Sequence, residues 1–331
     1  MSVLVVIPCL NEAPHISTLL AQLLRDAAVD RIIVADGGSI DGSQSIVEAI
    51  ATREPRLILI DNPGRLQSAG INRAVALHGE GHRFLVRVDA HGGYPEGYVS
   101  ALLAAAERQD ATSVVVPMRT RGSGCFQRAA ATAQNSLLGT GGSAHRHLGE
   151  GQFVDHGHHA LMELGPFMAV GGYCETMACN EDAELDYRLA AAGGRIWLEP
   201  GAAIDYFPRR TPIALWRQYL RYGTGRARNV ARHRQRLKPR QAIPLLVPPA
   251  VTLLLLTPVH PIFAFPATVW GTATLGGGLL IGARAGGGCS LLAGIAAMIM
   301  HCAWGTGYLL ERIRHPRGVA ARLRFSYETV A

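Results

Sequence analysis

Short, almost purely apolar runs alternate with longer mixed stretches over the first ninety residues. SVLVVIP (2–8), RIIVAD (31–36), RLILID (56–61) and FLVRVD (84–89) are dense in Val, Ile and Leu. Strands buried on both faces of a sheet read this way. Between them lie HISTLLAQLLRDA, DGSQSIVEAIA, the segment 66–78 and, after the fourth run, YVSALLAAAE, which have helical lengths and spacing. Strands alternating with helices of ten to fifteen residues predict βαβ units and a mostly parallel sheet, so the fold class is α/β. SVVVP (113–117) and RIWLEP (195–200) read as further strands, and ELDYRLAAAGG (184–194) as a helix closed by glycine. From Gly122 to His159 the periodicity fades into a Gly-, Ser- and His-rich stretch, the pattern of a binding loop or lid.

The last third has a different pattern. No charged residue occurs from Ile243 to Ala283, and after Arg284 none follows until Glu311. A bilayer core needs roughly 20 apolar residues per helix, so these stretches predict two or three membrane segments. Pro248, Pro249, Pro258, Pro261 and Pro266 interrupt the first stretch and suit a hairpin turning near His260. A third crossing would put Arg312, Arg314, Arg317, Arg322 and Arg324 on the far side, against the positive-inside rule. Either that tail breaks the rule or one apolar segment is re-entrant.

Charge sharpens this division. The chain has 331 residues and a formal net charge of +7, with eleven Lys and Arg residues between Arg209 and Arg240. Beside apolar segments such a cluster suits anionic membrane lipids. No nucleic-acid-binding signature accompanies it, so nucleic acid is not the expected partner. Trp216, Tyr219, Leu220 and Tyr222 among the arginines predict helices in the headgroup plane. The expected layout is a catalytic domain over 1–208, a basic amphipathic segment over 209–242, a membrane region over 243–311 and a basic tail over 312–331. The short apolar start falls below what a secretory signal needs, which predicts a catalytic domain on the cytoplasmic face of the inner membrane and a multi-pass anchor. Cys9, Cys125, Cys174, Cys179, Cys289 and Cys302 show no metal spacing and are expected to be reduced.

Candidate chemistry gathers where the strands end. Asn11 and Glu12, then Asp36, then Asp61 and Asn62, then Asp89 and His91 follow successive strands. The carboxyl edge of an open α/β sheet is where ligands bind. In DGGSIDGS (36–43), Ser39, Asp41 and Ser43 either cap the next helix or line a ligand pocket. No G-x-x-x-x-G-K-[ST] or G-x-G-x-x-G motif is present, which removes support for phosphate-loop kinases and dinucleotide oxidoreductases. If the chain stays extended, Asp89 and His91 point the same way and can address one hard cation. NEDAELDYRL (180–189) carries Glu181, Asp182, Glu184 and Asp186, which suit a helix N-terminus or, at Asp182, a general base. His145, His147, His156, His158 and His159, with Asp155, form either an acceptor-binding loop or a second metal site.

The ordered set VVIPCLNE, VADGGSIDGS, RVDAH, FMAVGGYCE and NEDAELDYRLAAAGGRIWLEP resembles the family-two inverting glycosyltransferases of the GT-A fold. With VDHGHHA (154–160) it is similar to the succinoglycan biosynthesis glucosyltransferases of the ExoA type, over roughly residues 3–240. The resemblance implies a GT-A nucleotide-diphospho-sugar transferase fold with a mixed, mostly parallel sheet followed by membrane helices. It implies that Pro8, Asn11 and Glu12 line the nucleotide pocket and that Asp36 meets uracil or ribose. Asp89 is then the metal-associated carboxylate that binds the donor, with His91 standing where the family's D-x-D has its second Asp. Asp182 is the implied catalytic base, preceded by Glu181. Asp155, His156 and His158 fall on the acceptor or diphosphate side. QYLRYGTGR (218–226) resembles a shortened Q-x-x-R-W segment, in which Arg221 or Arg226 holds the departing diphosphate, the alternative being that these arginines face lipid headgroups. The implied function is transfer of a hexose, glucose from UDP-glucose, to a lipid-diphosphate-linked saccharide in exopolysaccharide biosynthesis, with Mn²⁺ or Mg²⁺ as cofactor. A processive polysaccharide synthase and a non-catalytic scaffold are the rival readings.

Overall fold

The computed structural model describes residues 2–142 and 149–316. His145, His147, Arg317, Arg322 and Arg324 lie outside the described residues. Among those described, 2–118 and 149–204 form one compact unit and 119–142 and 205–316 another. The chain passes between them within β6 (Met118–Thr120) and β10 (Ile204–Tyr206).

The first unit is built on β1 (Val3–Cys9), β2 (Arg31–Asp36), β3 (Leu57–Asp61), β4 (Phe84–Arg87), β5 (Ser113–Val116), β7 (Gln152–Phe153), β8 (His158–Glu163) and β9 (Ile196–Leu198), in the order β3-β2-β1-β4-β8-β5-β9-β7. Neighbours are parallel except where β8 lies between β4 and β5 and where β7 closes the edge. β1 explains why its run is uniformly apolar. Val3, Val5 and Ile7 pack with α1 (Ala13–Leu23) and α4 (Tyr98–Gln109), whereas Leu4 and Val6 pack with α3 (Gln67–His78) and α8 (Glu181–Ala191). Successive side chains enter two cores, so every position must be apolar. Each fully buried Leu or Ile is worth about 1.5–3 kcal/mol relative to exposure.

The stretch predicted as a loop contains ordered structure. It holds α5 (Cys125–Gln134) and α6 (Leu137–Thr140), and its His-rich end starts β8. HHALME is a central strand whose first residue faces the site, which is why its beginning looks polar. Gly157 admits this strand closely, since a Cβ there would lie 2.5 Å from Val115.

The second unit is helical, with α9 (Pro212–His233), α10 (Pro239–Leu253), α11 (Phe265–Ala285) and α12 (Ala293–Arg314) beside α5 and α6. The sequence around Trp216 suggested headgroup-plane helices. That segment folds as one helix, α9, packed on α12, where a Cβ at Gly223 would strike the Trp304 carbonyl and one at Gly307 the Leu220 carbonyl. Leu215 and Tyr219 join Ala130, Ala133, Ala297 and Met300 in one core. The cysteines correct an expectation: Cys125 and Cys289 form a disulfide. Folding brings the first residue of α5 to the connection between α11 and α12 across 164 positions of sequence, a proximity that local spacing does not encode. Cys9, Cys174, Cys179 and Cys302 are not disulfide-bonded.

Candidate active site

β4 ends early and turns. Tyr94 Oη accepts from the Asp89 amide at 2.7 Å and donates to its carbonyl at 3.0 Å, and the Gly92 amide closes on the same carbonyl at 3.1 Å. The extended-chain expectation for Asp89 and His91 fails for that reason. Alternation holds only within a strand. His91 Nδ1 lies 2.9 Å from Glu12 Oε1, while Asp89 faces inward.

Asp89 meets Arg87, the last residue of the strand and 96% shielded at its side chain (4% exposed). Its guanidinium is a hub. Nε donates to Asp89 Oδ1 at 3.3 Å, Nη2 to Gln67 Oε1 at 2.9 Å and Nη1 to Asp182 Oδ1, with Glu181 Oε1 3.7 Å from the same nitrogen. The Tyr173 ring lies 5.8 Å away. Thus the tip of β4 and the first turn of α8 meet around one cation. A charged residue inside FLVRVD was a readable signal, because buried strands rarely admit arginine unless it is paired.

β8 supplies two imidazoles. His158 stands between the acids, Nε2 3.7 Å from Asp89 Oδ2 and Nδ1 3.8 Å from Asp182 Oδ2. His159 is buried, with Nε2 2.8 Å from Asp186 Oδ1 and Nδ1 2.6 Å from Tyr173 Oη. Asp186 also accepts from the Gly157 amide. Asp155, exposed, and His156, half-buried, lie on the loop that enters β8. Sequence reading named Asp89, Asp182, Glu181 and His158, and grouped His159 with the loop histidines, but assigned no role to Arg87, Gln67 or Tyr173.

Electrostatics separate the acids. Burial would raise Asp182, yet Arg87, His159 and His158 outweigh it and hold its carboxyl at about 2. Burial and the neighbouring Asp182 push Glu181 up to about 7, against the pull of Arg87. Asp89 is kept below the usual range by Arg87 and His158 despite its burial. Burial lowers His158, whereas Asp186 and Asp182 raise buried His159 against its desolvation.

At the ends of β1 and β2 the loops clasp one another. Ser39 Oγ, Ser43 Oγ and Asp41 Oδ2 accept from the amides of Asn11, Glu12 and Ala13 at 2.8, 2.9 and 3.0 Å. These side chains serve the start of α1, the preceding helix. α2 (Ser43–Ala51) begins at Gly42 without a side-chain cap. Asp36 Oδ1 accepts from the Gly38 and Ser39 amides and Gln44 Nε2, so that oxygen is already engaged. Asn11 adopts a positive φ of 58° and accepts from the Ile40 amide. Pro8 is buried in β1 opposite Ala35. Arg221 lies on α9 in the other unit, its Nε donating to the Arg217 carbonyl at 3.4 Å.

A cation shared with a diphosphate needs only one or two protein ligands, the phosphates and water completing its shell. Asp89 offers a carboxylate held ionised, the state a metal ligand requires. His91 lies two residues beyond. No group of three His, Cys, Asp or Glu side chains able to hold a metal occurs among the described residues. The donors therefore fit a substrate-completed ion.

Residues 4–171 match glycosyl transferase family 2. The chain is 46% identical over 321 residues, 96% of its length and 97% of the relative, to the succinoglycan biosynthesis protein ExoA of Rhizobium meliloti (strain 1021). Among solved structures it is similar to the mannosyltransferase PcManGT from Pyrobaculum calidifontis in complex with GDP-Man and Mn²⁺, with a TM-score of 0.53, 19% identity and coverage of 95% of this chain and 86% of that one. It is also similar to S. aureus TarS 1–349, with a TM-score of 0.50, 14% identity and coverage of 96% of this chain and 92% of that one.

Proposed function

The chain belongs to glycosyl transferase family 2 and is a glycosyltransferase of GT-A-like fold, and from that premise we propose that it moves a hexose from a nucleotide diphosphate sugar to a lipid-linked saccharide with inversion. The observation that carries this reading is the convergence of Asp89, Asp182 and His158 around Arg87. One side of such a site receives a diphosphate and the other an acceptor hydroxyl.

In the proposed step the acceptor oxygen bonds to the anomeric carbon as the bond from that carbon to the phosphate oxygen breaks. The hydroxyl proton goes to Asp182, and the electron pair of the broken bond leaves with the nucleotide diphosphate. A carboxylate at about 2 is ionised but weakly basic. An incoming diphosphate competes for the Arg87 guanidinium and releases Asp182 towards a more useful basicity. Asp89, with His91 beside it, would hold Mn²⁺ or Mg²⁺, which when bound neutralises charge on the departing diphosphate. Arg221 is proposed on the diphosphate side, and Asp155, His156 and His158 on the acceptor or diphosphate side. Pro8, Asn11 and Glu12 border the proposed nucleotide pocket. Asp36 is proposed to meet uracil or ribose through Oδ2, which accepts from Ser39 Oγ and keeps acceptor capacity, while Oδ1 takes the Gly38 and Ser39 amides and Gln44 Nε2.

The relative named for succinoglycan biosynthesis supports exopolysaccharide assembly as the setting; glucose as the sugar, UDP-glucose as the donor and the inner membrane as the location are part of the proposal. A second reading of the base rests on Glu181, whose pKa of about 7 suits proton uptake near neutral pH. Membranes containing the protein should transfer labelled glucose from UDP-glucose, and not other sugars of a donor panel, to a lipid-linked acceptor in a Mn²⁺- or Mg²⁺-dependent manner. A polymer product would establish a synthase, and no product with any donor would establish a scaffold.

A further inference from the structure

Among the described residues three helices are long and apolar enough to cross a membrane, Pro239–Leu256, Pro261–Ala285 and Gly288–Arg314, but they differ in burial: 11%, 17% and 44% of their apolar windows are covered. The third is the core helix of its unit. α9 lies along it, and Arg228 Nε pairs with Glu311 Oε1 at 2.8 Å, the glutamate being buried. Its other neighbours include α5 and α6, with Leu138 O 2.8 Å from His301 Nε2. Placing α12 in hydrocarbon would carry Arg217, Arg221, Arg226, Arg228 and Arg232 of α9 in with it. Each arginine at the bilayer centre costs about 2.5–3.5 kcal/mol or more.

The foot of α11 is held in the same way. Ile281 and Arg284 line a cavity of about 510 Å³ together with Arg128, Thr132 and Asn135 of the α5 region, and Leu138 lies 3.6 Å from a Cβ built at Gly277. What projects beyond these neighbours is α10 past Pro248, the turn and α11 as far as Val269, since Trp270 Nε1 donates to His301 Nδ1 of α12 and a Cβ at Gly305 would lie 2.9 Å from Pro248. Seven residues, 263–269, reach about 10 Å, short of a hydrocarbon core of about 30 Å.

The turn itself is made for an apolar medium. Thr257 N and Val259 N donate to Leu254 O and Leu256 O, His260 N to Leu256 O, and Phe263 N to His260 O. Ile262 N is taken by His260 Nδ1 at 3.1 Å, and positions 258 and 261 are prolines with no N–H. No backbone donor from 257 to 263 is left for water. Irregular backbone enters hydrocarbon only when its polar groups are satisfied internally. Around the turn Leu255, Val259, Ile262 and Phe265 are all more than half exposed.

We propose that α10 and α11 form a re-entrant hairpin whose tip, Leu255 to Phe265, is immersed in lipid without reaching the far side, and that α12 stays out of the bilayer core. The basic tail then remains on the side from which the hairpin enters, which satisfies the positive-inside rule that three crossings violate. The inference concerns anchoring alone and stands or falls without any assay of transfer.

The test uses the full chain in sealed membrane vesicles of both orientations. The protein should resist carbonate washing. A Val259→Cys variant should gain label, relative to the parent, from a lipid-soluble maleimide and none from a membrane-impermeant one applied to either face. A Gln235→Cys variant, ahead of the hairpin, and a tag after Ala331 should be reachable from the same face. Impermeant labelling of Val259→Cys from the face opposite Gln235→Cys would establish a full crossing and overturn the proposal, as would a tag on that opposite face. Release by carbonate, or disulfide-linked dimers through Val259→Cys in place of lipid shielding, would assign the apolar surface to a protein partner and also overturn it. Val259→Arg should lower partition into phosphatidylethanolamine–phosphatidylglycerol vesicles at least about ten-fold, while Val259→Leu leaves it unchanged.

Discussion

The two units solve opposite problems. In the α/β unit a ring of charge, Arg87 with Asp89, Glu181 and Asp182, is buried among apolar strands. In the helical unit, leucine and phenylalanine side chains stand exposed around a hairpin turn whose backbone N–H donors are paired within the chain. Each looks wrong for water alone. Buried charge is sustained only by pairing with groups of opposite sign. Exposed hydrocarbon over a long uncharged stretch is sustained only by another apolar phase. On the proposed function and anchoring, the difference separates a region arranged for a charged reaction from one arranged for lipid.

The sharpest way to break the comparison is to remove the base. Asp182→Asn should lower transfer at least about 10³-fold while nucleotide diphosphate binding, read by calorimetry, survives. Glu181→Gln should cost about ten-fold or less. The reverse ranking would give the base role to Glu181, and unchanged turnover in both would remove the site.

Next is the hub. Arg87→Met leaves three carboxylates without their shared cation and should destabilise the protein by about 3–5 kcal/mol in denaturant unfolding. Arg87→Lys, which keeps charge but loses the fork, should fall between. An unaltered midpoint in Arg87→Met would show that the ring is not held by this residue.

In the helical unit, Cys125→Ser should cost about 2–4 kcal/mol, with reduction of the parent producing the same shift. Alkylation after reduction should count two more thiols than before it. An equal count would refute the pairing of Cys125 with Cys289.

The smallest effect is the pH slope of stability. Glu181 is raised to about 7 from 4.5, so the folded state binds a proton the unfolded state has lost. Stability from this residue is therefore present below about pH 4.5 and is lost as pH rises to about 7, by on the order of 3 kcal/mol. Asp182, lowered to about 2 from 3.8, acts oppositely and only in acid, its contribution being lost as pH falls below 3.8. Glu181→Gln should flatten the slope between pH 4.5 and 7, and an unchanged slope would locate it elsewhere.

The alternation of apolar runs and helical stretches determined β1 to β5, α1 to α4 and the edge where Asp89 appears, because strands buried on both faces and helices buried on one impose their own periods. The ordered motifs also carried the family and named both acids. The central strand β8 was hidden, since HHALME opens with histidines that serve the site and its partners lie far away in sequence. α5 was hidden among glycines and alanines. Only tertiary structure could decide that Arg87 joins the tip of β4 to α8, that His91 turns away to Glu12, that Cys125 meets Cys289, and that α12 is a core helix although its composition suits a membrane. The reason is common to all four. Periodicity records which side of an element is covered, whereas pairing of charges, sulfurs and helix faces depends on long-range proximity, which one-dimensional spacing does not contain.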